Sequence, residues 1–131
     1  MYNETITFYS KTPPNKWELT NYSVKYYEDN SICGDDLDVY LKIEDNRIID
    51  FSFMWDTAII TTACASIFWE SIIDVWLNDV LRMDYNTIEE LIWMPVSPRR
   101  KQASVLGLLT TRNAIHDYLQ DGIKDDFDDV M

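Results

Sequence analysis

Glycine, proline, cysteine and histidine are all scarce: three, four, two and one among 131 residues. Each shortage removes a class of function. Three scattered glycines, Gly34, Gly107 and Gly122, leave no glycine-rich loop to cradle a phosphate chain with backbone N–H groups. Two cysteines with no Cys-x-x-Cys pair make neither a zinc knuckle nor a disulfide framework. With no export signal at the start, both thiols are expected to be reduced in a cytoplasmic setting. The lone histidine, His116, lies far along the chain from Cys33 and reads as a surface or helix-end residue, which disfavours a nucleophilic enzyme. No apolar run reaches the roughly 18 residues that a membrane span needs.

Positive charge is the other shortage. Eleven basic residues face 23 acidic ones, a formal charge of −12. Such a field repels phosphate backbones and anionic membrane surfaces, so neither nucleic acid nor membrane is an expected partner. It suits cations or a protein with a basic face, and it also keeps an apolar chain soluble. Apolar residues make up 47% and aromatics 14%, enough for one domain with a real core. Five tryptophans, Trp69, Trp76 and Trp93 among them, are expected mainly in that core.

The pattern along the chain is mixed. Residues 2–10 suit a short helix ending before Pro13 and Pro14, because the residue preceding a proline avoids the helical region. A first strand is expected over 22–28. In the second, Leu37, Val39, Leu41 and Ile43 alternate with Asp38, Tyr40, Lys42 and Glu44, placing one set inside and the other outside. Asp45 and Asn46 form a tight turn, and Ile49, Phe51 and Phe53 are expected to face inward on a third strand. A helix is expected from Thr57 to about Leu81, with Ile60, Ala63, Cys64 and Ile67 as its buried stripe. Asn86 and Glu89 resemble a capping box, and a last helix spans about 100–120, burying Val105, Leu108, Leu109, Ile115 and Leu119. The expected fold is α+β: a three-stranded antiparallel meander covered on one face by helices. It forms a single domain over 1–121, with 122–131 as a solvated, mobile acidic tail.

Several strings then resemble the iron–sulfur cluster assembly scaffold family, the IscU, SufU and NifU N-terminal type. YNETITFYSKTPPNKW is similar to its N-terminal helix and turn. CGDDLDVYLKIEDNRIIDFSF is similar to its Cys-Gly-Asp motif running into a hairpin. AIITTACAS and RRKQASVLGLL resemble the starts of its long and last helices. The resemblance implies a non-enzymatic scaffold whose exposed end holds an iron–sulfur cluster or iron (zinc also suits) through three cysteines and the motif aspartate. Soft thiolates suit such cargo, and a carboxylate makes a more labile ligand.

Cys33 and Asp35 carry over as the first cysteine and the aspartate. The second cysteine position falls at Ala58 and the third at Ala103, or at Gln102 with the gap placed differently. Cys64 is six residues past Ala58, turned onto the apolar stripe, and reads as a small core residue. Asp56, Arg99, Arg100 and Lys101 are expected near the same end. One thiolate and one carboxylate fall short of the about four ligands that a cluster takes. Two readings follow. One is a scaffold or carrier whose degenerate site on Cys33 and Asp35 is shared between copies in a homo-oligomer. The other is a metal-free interaction module that binds a cysteine desulfurase or another assembly protein.

Overall fold

The computed structural model describes residues 3–11, 19–30, 35–56, 59–94 and 96–131. The Pro13–Pro14 turn and the helix start at Thr57 lie outside them. Three strands, β1 (Val24–Asn30), β2 (Asp35–Glu44) and β3 (Arg47–Asp56), form one antiparallel sheet in the order β1-β2-β3. This is the expected meander, with β1 displaced two residues along the chain from the expected 22–28. Asp45 and Asn46 both adopt left-handed φ, 52° and 61°. That pair of angles matches a two-residue hairpin to the strands' right-handed twist, and Asp and Asn tolerate it best among non-glycine residues.

Leu37, Val39, Leu41 and Ile43 are all buried, as are Phe51 and Phe53. Ile49 is not in phase with them. The register shifts between Lys42 and Ile43, so that Ile43 pairs with Ile48 while Lys42 pairs with Asp50, leaving Ile49 as the extra residue of a bulge. Ile48, fully buried, takes the inward place expected for Ile49. Alternation read straight through a bulge comes out one residue wrong.

The described residues form six α-helices: α1 (Glu4–Lys11), α2 (Ile59–Ser71), α3 (Leu77–Val80), α4 (Tyr85–Ile92), α5 (Lys101–Leu119) and α6 (Phe127–Val130). The single helix expected to reach about Leu81 breaks after Ser71. Asp74 turns left-handed, φ 66°, and the chain pairs with the hairpin instead. Asp74 N–H donates to Ile48 O, Ile48 N–H to Val75 O and Leu77 N–H to Asn46 O. Backbone groups at the start of β3 thereby find partners that a continuous helix would deny them.

The expected stripe of α2 is buried, but so is every residue from Ile60 to Trp69. The helix is flanked by α5, α1 and α4, and Trp69 near its end reaches the sheet. Its small polar residues make this possible, each hydroxyl finding a partner, as Ser66 does in donating to Thr62 O. Helix α5 crosses it closely: a Cβ on Gly107 would stand 2.7 Å from that of Ala65. One turn on, Trp69 Nε1 donates to Thr111 Oγ1 at 2.7 Å. Trp69 also packs on Phe53 and Phe51, with ring centroids 4.3 and 5.6 Å away. Burying such a side chain contributes about 1.5–3 kcal/mol.

Four further expectations are corrected. The cap of α4 is Asp84, whose carboxylate accepts from Asn86 N–H, so the helix starts at Tyr85 and not after Asn86. Leu119, at the last turn of α5, is exposed rather than buried. Of the three tryptophans Trp69, Trp76 and Trp93, Trp69 is core, while Trp76 is 53% and Trp93 89% exposed. The acidic C-terminus is not loose. Asp126 caps α6 in a reciprocal box with Asp129, and Val130 is fully buried.

Candidate functional site

Asp35 opens β2 in the same phase as Leu37 and Val39, so its side chain points toward the helices. It is only 4% exposed, and its Oδ2 accepts a 2.7 Å hydrogen bond from the hydroxyl of Thr61. Thr61 sits in the first turn of α2, so this buried contact ties the start of β2 to the start of α2. Cys33 and Gly34, just before Asp35 in the chain, and Ala58, just before Ile59, lie outside the described residues.

The third expected element joins through helix packing. Ala65 faces Gly107 and Trp69 bonds Thr111, the same offset in both cases, so α2 and α5 run parallel. One turn earlier on each helix sets Ala103 at the level of Thr61. Ala103 is buried and Gln102 half-buried, and neither brings a thiol. The starts of β2, α2 and α5 therefore meet at one end, where the sequence placed its candidate residues.

Charge at this end is divided. On the outer face of the sheet Asp29 stands opposite Asp36, a pair of like charges that costs stability by itself. Tyr27, half exposed beside them, has its hydroxyl pushed above the usual range by desolvation and then by Asp36, Asp29 and Asp38. At the head of α5, Arg99 and Arg100 are exposed in a short 3₁₀ turn, Pro98–Arg100. Lys101 is drawn aside, its Nζ 4.8 Å from the centroid of the Tyr85 ring.

The architecture and the chain agree with known proteins. A model of the NifU-like N-terminal domain matches residues 1–125. This chain belongs to that family. It is 31% identical over 90 residues to the iron–sulfur cluster assembly scaffold protein IscU of Thermotoga maritima, a match covering 69% of this chain and 61% of that relative's length. A protein described as an iron–sulfur cluster assembly scaffold for the SUF system of Fervidobacterium islandicum AW-1 superposes with a TM-score of 0.77 at 21% identity. That match covers 87% of this chain and 96% of the other. The N-terminal part of a NifU-like protein of Brucella abortus superposes at 0.74 with 15% identity, covering 92% and 95%. The last two establish the fold.

Within this family member the second cysteine is no spare ligand. Cys64 is 1% exposed, and burial alone pushes its thiol up to about 12, so the thiolate that binds metal or reacts is suppressed. Among the described residues no three His, Cys, Asp or Glu side chains are grouped to hold a metal ion. None of their helices is long and apolar enough to cross a membrane. Thr61 is the residue that sequence reasoning missed. A threonine in the first turn of an apolar helix carries no signal that it will meet a carboxylate 26 positions earlier.

Proposed function

We propose that this chain is a non-enzymatic, cytoplasmic scaffold or carrier of iron–sulfur cluster assembly whose cargo site is reduced to Cys33 and Asp35. The observation that carries the reading is the Asp35–Thr61 contact at the meeting point of β2 and α2, in a chain of this family. Asp35 supplies a hard carboxylate, a more labile ligand than a thiolate and so suited to cargo that must be released. Cys33 supplies the soft thiolate for an iron–sulfur cluster, for iron alone or for zinc.

The ligand count sets the stoichiometry. Two protein ligands are too few for a cluster, and two copies brought together at this end supply two thiolates and two carboxylates. The site is therefore shared in a homo-oligomer and loaded by a cysteine desulfurase or another assembly protein. Arg99 and Arg100, exposed at the head of α5, offer such a partner's acidic groups a contact.

A second reading, a metal-free interaction module for the same partners, is favoured by the buried alanine at position 103. Iron and sulfide analysis after anaerobic purification separates the two. The scaffold reading expects both elements in the parent protein and their loss in Cys33→Ser and Asp35→Asn. A parent protein that never takes up metal supports the module.

A further inference from the structure

The residues that hold the C-terminus in place form a charge cluster remote from Asp35. Three side chains of α5, Arg112, Asn113 and His116, point at segment 120–131. Arg112 Nε donates to Asp125 Oδ2 at 2.9 Å, and its Nη1 donates to Met83 O at 2.9 Å and Asp129 O at 3.5 Å. Asn113 pairs with the backbone of Asp125 in both directions, at 3.0 and 2.7 Å, and also donates to Glu28 on β1. His116, expected at the surface, is 7% exposed and sits between two carboxylates. Its Nδ1 lies 2.7 Å from Asp121 Oδ2 and its Nε2 3.0 Å from Asp125 Oδ2.

An ionised carboxylate only accepts hydrogen bonds, while a neutral imidazole has one donor and one acceptor nitrogen. Both contacts of His116 are therefore made together only by the doubly protonated ring. The charged groups around it are Asp117 on its own helix, Asp121 and Asp125 on the segment, Glu28 on β1, and the cations Arg112 and Lys124. Tyr26 on β1 completes the ring of titratable groups, lining with His116 and Asn113 an open cavity of about 270 Å³ through which protons reach the imidazole.

We propose that His116 is a proton-dependent clasp: segment 120–131 docks on α5 while the ring carries both protons and loosens when it loses one. Docking that needs both ring N–H groups is complete at lower pH and fades as rising pH removes one of them. It also has an acid limit. The carboxyl of Asp121 is held below its usual range, first by its hydrogen bond to His116, so its contribution is lost only as pH falls through that lowered value. Release frees Val130 from the core and slackens the Arg112 link to the turn before α4.

Two measurements on the full chain test this over about pH 5–8, the range in which histidine charge changes. Nitrogen-15 NMR of the imidazole should show both nitrogens protonated wherever the segment is docked. Hydrogen exchange of the amides of residues 125–130, corrected for intrinsic rates, should lose protection by about tenfold or more as His116 deprotonates, the effect of losing one charge-assisted bond. His116→Gln should lower that protection and flatten its pH dependence. Asp121→Asn, at a less buried position, should weaken protection while leaving the rest of the protein protected. Full protection with a neutral ring, or protection independent of pH, would overturn the clasp.

Discussion

A hydroxyl and a carboxylate far apart in sequence, Thr61 and Asp35, make the contact on which the proposed site is built. Thr61→Val keeps the shape of the side chain and removes the donor, so it should destabilise the protein by about 1.5–3 kcal/mol, the range for a bond to a charged group. Denaturant unfolding followed by circular dichroism measures this, and an unchanged midpoint would show that the contact carries no weight. Cys64 supplies a second residue-scale outcome. With its thiol buried and pushed up to about 12, it should resist alkylation until the protein unfolds, while Cys33 labels in the native state. Legibility at this scale was uneven. Cys64 was readable as core because its neighbours at helical spacing are apolar. His116 was not, because a histidine near a helix end looks alike with or without the acids that enclose it, and those acids come from a segment whose composition reads as solvated.

At the scale of elements, the hairpin and α5 were legible because their signals are local: alternation, turn residues, helical spacing. The breaks were not. The bulge at Ile49 and the end of α2 at Ser71 are set by pairing across the β2–β3 hairpin, which no window along one segment contains. The close crossing of α2 and α5 gives a sharp test. Gly107→Ala gains up to about 1 kcal/mol of helix propensity. Its methyl group would stand 2.7 Å from the Ala65 Cβ and 2.9 Å from its Cα, and neither can swing aside. Overpacking of this kind costs about 1–3 kcal/mol. A net loss is expected, read as a lower melting temperature. The end of α4 predicts the opposite sign. Trp93 is 89% exposed and held at φ 60°, a left-handed cap that glycine adopts without strain. Trp93→Gly should raise stability by about 0.5–1 kcal/mol, and a loss would mean that the indole packs on something it needs.

For the whole molecule, the meander and its helical cover followed from the order of the sequence patterns, and the family match over residues 1–125 accords with that order. The Cys-Gly-Asp string pointed to the start of β2 as the proposed site, and Asp35 there is tied to the start of α2 with α5 alongside. In the proposed scaffold its completeness is a property of the assembly. The central claim is that one chain holds too few ligands and two chains hold enough. The most direct measurement is anaerobic size-exclusion chromatography of the reconstituted protein over a dilution series, with iron, sulfide and absorbance read on each peak. The account predicts iron and sulfide in the dimer peak alone, colour lost as dilution drives dissociation because binding and association are linked, and no loading of Cys33→Ser. A monomer peak carrying a full complement of iron and sulfide would contradict it.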